Sequence, residues 1–140
     1  MKLNEIALTN LAPRLRMTTL YSIAAAESRL VVGTGNRSEL YIGYYTKWGD
    51  GASDLNPIGD LCATEVIEFL RYLQAPESIT EKAPSAGLYD GQTDEQEIGI
   101  SYADLDRYLL TGEGDNNTVT VVERMHRSSA HKRTGVKFYE

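Results

Sequence analysis

Apolar positions recur at helical spacing along most of this chain, and at one point they run together. Residues 10–28 read as a helix. Asn10 can cap it, and Pro13 is tolerated in the first turn, where its missing N–H costs nothing. Leu15, Leu20, Ile23 and Ala24 fall on one stripe to be buried, with Arg14 and Arg16 pointing elsewhere. Within Arg29–Gly33, the run Leu30-Val31-Val32 is bounded by a charge and by glycines, which predicts a short buried strand. Helices are predicted from about Arg37 to Tyr44 and from about Asp60 to Leu73, the second stopped by Pro76. Ser101 with Asp104 resembles a capping box that opens a helix to about Leu110. A last helix covers residues 118–130, with a basic tail after it. Polar, glycine-bearing stretches at 47–56, 81–99 and 112–117 read as loops or a break.

This pattern holds one convincing strand, and one strand cannot make a sheet. Its unpaired edges would be open to aggregation. Leu30–Val32 therefore needs neighbours from an N-terminal half, a second chain or a symmetry mate.

Composition narrows the function classes. The 140 residues fit one domain, and 41% hydrophobic with 24% charged residues is ordinary globular composition. No apolar run approaches the roughly 20 residues of a membrane span, and the N-terminus lacks the apolar core of a signal peptide. One cysteine, Cys62, cannot form an internal disulfide, so a reducing, cytoplasmic home is expected, with Cys62 a small buried apolar residue. A net charge of −6 argues against nucleic-acid binding, yet the local basic cluster HRSSAHKRTGVK can still hold a small anion.

Several constellations can carry chemistry, and each has a plainer alternative. Gly33-Thr34-Gly35-Asn36 follows the strand and precedes a helix, where α/β sheets place ligands: the glycines admit a close ligand, Thr34 offers a hydroxyl, and the helix offers N–H groups to an anion. The alternative is a tight strand-to-helix turn. Glu39 can hold Mg²⁺ or simply sit well near a helix N-terminus. Lys47, Asp50 and Asp54 share one loop and can read a polar ligand or face solvent. Trp48 can stack on a ring or plug an apolar gap. His131-Lys132-Arg133 can close over a phosphate or carboxylate, or form a solvated tail. His126 reads as a surface or packing residue, and no zinc site is apparent.

Taken together, VVGTGNRSELYIGYYTKWGDGASDLNPIGDL, KAPSAGLYDGQTDEQEIGISYADLD and AHKR resemble the ammonia-dependent NAD synthetases, from about Arg14 to Lys132. The resemblance implies an α/β fold of the adenine-nucleotide α-hydrolase type. This chain would be a helix-rich, partial, doubly wound parallel sheet, incomplete without an N-terminal half or partner chain, and residues 1–140 would be the C-terminal part of the synthetase domain. It implies a cytoplasmic homodimer that uses ATP and Mg²⁺ to adenylate the carboxylate of deamido-NAD, with ammonia then displacing AMP. Matched by position, Arg14, Lys47, Asp54, His131 and Lys132 would bind deamido-NAD, Thr34 and Ser85 would contact ATP, and Glu39 would bind magnesium.

Three departures qualify the match. The family's SGGxDS pyrophosphate loop, with its magnesium-binding aspartate, is expected in an N-terminal half that these residues do not include. Ala63 stands where many members carry a phosphate-contacting lysine, and Gly87 stands where an aspartate is common. A fragment or split subunit of the enzyme fits the intact positions. A non-catalytic dinucleotide-binding or oligomerisation module fits the departures.

Overall fold

The structure is a computed structural model that describes residues 4–85, 87, 91–136 and 138. Its described elements are helices: α1 (Glu5–Thr9), α2 (Leu11–Ala26), α3 (Arg37–Ile42), α4 (Ala63–Tyr72), α5 (Glu77–Thr80), α6 (Asp94–Ile98), α7 (Tyr102–Thr111), α8 (Asn116–Ser128) and α9 (Ala130–Arg133). None is long and apolar enough to cross a membrane.

The core forms where α3, α4, α7 and α8 meet. Ile42, Ala63, Ile98, Ile100, Tyr102, Leu105, Val121 and Val122 pack together there. Local chemistry sets the helix starts. Ser101 and Asp115 each accept the N–H of the third residue of their helix, Asp104 and Thr118. Asn36 and Glu39 form a reciprocal capping box on α3.

A buried acid joins these helices. Asp106, 2% exposed, accepts both the N–H and the hydroxyl of Thr64 at 2.8 Å. Its other oxygen accepts the hydroxyl of Ser38. Ser38 in turn accepts the N–H of Ala63 at 3.1 Å. One carboxylate thus satisfies donors from α3 and α4 while standing on α7.

Several expectations are corrected. The stripe of α2 is not buried among the described residues: Leu15, Leu20 and Ile23 are 52–59% exposed, and only Pro13 and Ala24 are covered. Leu30 and Val32, expected to be buried, are 68% and 55% exposed. The strand reduces to a single parallel bridge between Val32 and Leu55. Gly33 donates to Leu55 at 2.7 Å and Asp54 donates to Val31 at 2.9 Å, so the pairing lies on one side of the segment. The physical reason is shared: apolar side chains and a strand edge are buried by neighbours, and the described residues supply none at these faces.

Other corrections are local. Asn10 does not cap α2 through its side chain, which instead donates to the Ile6 carbonyl and accepts from Thr46. The helix expected from Asp60 begins at Ala63, after the backbone of Cys62 is held by Glu65. The loop expected over 81–99 contains α6, and its positions 86 and 88–90 lie outside the described residues, as does Lys137 of the basic tail. The break at 112–117 is already helical from Asn116, because Asp115 caps there. The last helix divides at Ser129 into α8 and α9.

Candidate functional site

The site gathers around the turn that follows α3. Gly43 ends α3 in a left-handed conformation (φ 73°), and a Cβ there would overlap Ser129. Glycine therefore lets the start of α9 sit directly on the end of α3. The carbonyls at this end meet donors from the chain's last helices. Ser129 donates to Ile42 at 2.9 Å, and Lys132 donates to Gly43 at 2.6 Å and Tyr45 at 2.5 Å. The Lys132 ammonium also lies 5.1 Å from the centre of the Tyr45 ring. Burial holds the Lys132 ammonium below its ordinary pKa.

The loop after this turn binds α2. Thr46 donates to Asn10 at 2.7 Å, and Arg14 donates to the carbonyl of Lys47 at 3.3 Å. Lys47 donates to the carbonyl of His131. A continuous series of contacts, Arg14 to Lys47 to α9, thus connects segments far apart in sequence. Trp48 has a left-handed backbone (φ 61°), unfavourable for a side-chain-bearing residue. It is exposed, so it plugs no gap, and the Lys47 ammonium lies 5.4 Å from its ring.

Two cavities flank the turn. The first, about 340 Å³, is lined by Asn10, Pro13, Arg16, Tyr45, Thr46 and Lys132 among others. The second, about 370 Å³, is lined by Gly33, Thr34, Glu39, Asn56 and Asp94 among others. Tyr44, Tyr45 and Asp50 line both. The first cavity has Arg16 and Lys132 on its wall, beside Asp50 and Glu97; the second has carboxylates, and among its described lining residues no lysine or arginine.

The second cavity is an unusual place for Glu39. Burial raises its carboxyl to about pKa 7, with Asp94 and Asp50 adding repulsion and a hydrogen bond from Asn36 opposing them. Asp94 itself accepts from Tyr44 at 3.3 Å and from Tyr102 at 3.2 Å. Burial first, then the Glu97 carboxylate that accepts from Tyr44 and the Glu39 and Asp94 carboxylates near Tyr102, drive both phenols well above their ordinary range. The donor set fits a hard cation in part. A divalent ion would relieve the repulsion, and Mg²⁺ takes few protein oxygens with water and phosphate completing its shell. No cluster of three metal-holding side chains occurs among the described residues.

The predicted site residues divide. Lys132 lines the first cavity, with Arg14, Lys47 and His131 tied beside it through the hydrogen bonds above. Thr34 and Glu39 line the second. Asp54 lines neither; it accepts the N–H of Val31 at 2.7 Å and the hydroxyl of Tyr21 at 3.4 Å. Ser85 also lines neither, and its hydroxyl accepts from Gly87 at 3.1 Å. The N–H groups expected to face an anion at the start of α3 are largely spent: Arg37 donates to Leu61 and Glu39 donates to Asn36. Ala63 is buried in the core, with its N–H on Ser38. His126 is a packing residue, stacked on Tyr41 at 4.1 Å. Sequence reasoning missed Tyr44, Tyr45 and Asp94. Two adjacent tyrosines after a glycine were the available signal; Asp94 lay in a stretch with no apolar rhythm.

The family model described as NAD synthase matches residues 1–136. The chain is 63% identical over 129 residues to the NH3-dependent NAD⁺ synthetase of Carboxydothermus hydrogenoformans, covering 92% of this chain and 53% of that protein. It is 52% identical over 134 residues to the enzyme of that name in Archaeoglobus fulgidus, covering 93% and 54%. The solved structure of NMN synthetase from Francisella tularensis superposes with a TM-score of 0.95 at 39% identity, covering 99% of this chain and 58% of that one. The NH3-dependent NAD synthetase of Campylobacter jejuni gives 0.74 at 30% identity, covering 99% and 57%. The chain therefore spans about half the length of the curated relatives it matches. These neighbours are α/β proteins.

Proposed function

The chain belongs to the NAD synthase family, and we propose that it is the C-terminal part of a synthetase domain that amidates deamido-NAD. In this reading the first cavity receives deamido-NAD, through Lys132 on its wall and Arg14, Lys47 and His131 beside it. The second receives the ATP phosphates beside Thr34, with Mg²⁺ at Glu39. The carboxylate of deamido-NAD attacks the α-phosphorus of ATP and expels pyrophosphate. Ammonia then attacks the acyl adenylate, AMP leaves with the electron pair of the broken C–O bond, and a proton is released as NAD forms. A carboxylate is a poor electrophile and its adenylate a good one, so the protein's task is positioning and charge stabilisation.

The observation that carries this reading is the shared wall of Tyr44, Tyr45 and Asp50. An activation step needs two ligands side by side, and two cavities divided by one turn supply that. Asp54 and Ser85, which line neither, enter the reading as residues beside the ligands, Asp54 holding the N–H of Val31 and Ser85 that of Gly87.

The exposed faces of α2 and of Leu30–Val32 complete the reading. An N-terminal half, in the same polypeptide or a partner, would cover them with further parallel strands and bring the SGGxDS loop and a second magnesium ligand. The working form would be a cytoplasmic homodimer. The absence of a cation from the described lining of the second cavity, with Ala63 in the core, favours one other reading: a module that binds the dinucleotide without turning it over.

Isothermal titration with deamido-NAD, with its mononucleotide counterpart, and with MgATP separates them. The synthetase reading predicts saturable dinucleotide binding, and MgATP binding with turnover once an N-terminal half from the Carboxydothermus relative is added. Binding of dinucleotide with no turnover in that mixture supports the module. No binding of any ligand, alone or in the mixture, overturns both.

A further inference from the structure

Helix α9 is four residues long, too short to hold itself, since one helical turn fixes three residues for each early hydrogen bond. It nevertheless carries Lys132 into the first cavity and offers the His131 carbonyl to Lys47. Among the groups that fix it, Arg133 joins the most elements. One guanidinium nitrogen donates to the Tyr41 carbonyl at 2.9 Å and to the Ser129 hydroxyl at 2.7 Å; the other donates to the His126 carbonyl. Arg133 thus ties α9 to the last turn of α8 and to the C-terminal end of α3 at once. The planar, multi-donor guanidinium is suited to this, and an ammonium is not its equal. Cations at a helix C-terminus are favourable in addition. Neither cavity is lined by Arg133.

We infer that Arg133 is a positioning residue: by locking α9 across the ends of α3 and α8, it sets Lys132 on the wall of the first cavity and Lys47 beside it, and so sets the affinity of that cavity for an anionic nucleotide. The inference rests on the deamido-NAD reading of that cavity. In this arrangement both lysines bond to backbone carbonyls, of Gly43, Tyr45 and His131. They are held at the rim without being buried in ion pairs, so a ligand phosphate or carboxylate exchanges for a carbonyl rather than for a charge.

The test is titration of the 140-residue chain with deamido-NAD for the parent, Arg133→Met, Arg133→Lys, Lys132→Met and the Arg133→Met/Lys132→Met double variant. Arg133→Met is expected to weaken binding about tenfold or more, with partial rescue by Arg133→Lys. Because Arg133 acts through Lys132, the double variant should bind no more weakly than the weaker single one. Arg133 is exposed and outside the core, so the variants keep the fold, which far-ultraviolet circular dichroism verifies. Should Arg133→Met unfold, Ser129→Ala removes one of its acceptors and carries the same expectation. Parent-like binding by Arg133→Met, or fully additive losses in the double variant, overturns the inference alone. No binding by the parent overturns the reading of the cavity and the inference with it.

Discussion

Asp106 on α7 accepts both the N–H and the hydroxyl of Thr64, each at 2.8 Å, at the first turn of α4. Its second oxygen takes the Ser38 hydroxyl of α3. Replacing this carboxylate leaves buried donors on two helices without an acceptor. Asp106→Ala is therefore expected to lower unfolding stability by about 3 kcal/mol or more, read as a drop in the urea midpoint at unchanged slope. A loss below about 1 kcal/mol would mean that water replaces the carboxylate and that the helices do not depend on it.

Glu39 makes stability depend on pH. Its folded pKa of about 7 lies above the ordinary value of 4.5, so the folded chain holds this proton more tightly than the unfolded one. The resulting contribution is complete below about pH 4.5 and is lost as pH rises through 7, up to about 3 kcal/mol. Between about pH 5 and 7 the urea midpoint should fall, and Glu39→Gln should flatten that slope. Mg²⁺ should also flatten it, by favouring the carboxylate. A parent profile as flat as that of Glu39→Gln would refute this account.

The lysine rim can be tested through its ligand. Lys47→Ala and His131→Ala are each expected to weaken deamido-NAD binding, Lys47→Ala by about tenfold if one charge-assisted hydrogen bond is lost. If calorimetry finds both variants equal to the parent, the first cavity is not the dinucleotide site.

Gly43 offers a conformational test. A side chain there meets both an unfavourable positive φ and Ser129. Gly43→Ala should cost about 2 kcal/mol or more and speed hydrogen exchange of the α9 amides. Unchanged exchange would show that α9 is not seated through this contact.

The α2 face separates folding from assembly. Leu20→Glu and Ile23→Glu change exposed positions, so the chain alone should keep its stability within about 0.5 kcal/mol. Complementation by an added N-terminal half should be lost. Complementation that survives both changes would mean that this face is not where the halves meet.

Much of this was written locally in the sequence. The cap at Ser101, the helical rhythm of α4, α7 and α8, and the turn that leads into α3 depend on neighbours a few positions away, and such interactions can be read along a chain. The motifs around Thr34, Lys47 and His131 marked the family for the same reason: each is a short run of fixed chemistry.

Only the tertiary structure decided which residues meet. Tyr44, Asp94 and Tyr102 share hydrogen bonds across as many as 50 positions, and Arg133 reaches Tyr41 across 92; no local period encodes such a pair. Apolar spacing told that Leu15, Leu20, Ile23 and Leu30–Val32 are made for burial. It could not tell what buries them, because hydrophobic attraction is non-directional and the partner surface is absent from the pattern itself. The sequence alone determined the longer helices and the family. Distance in three dimensions determined the two cavities, the burial and neighbouring acids that raise Glu39, and the arginine that helps hold the last helix in place.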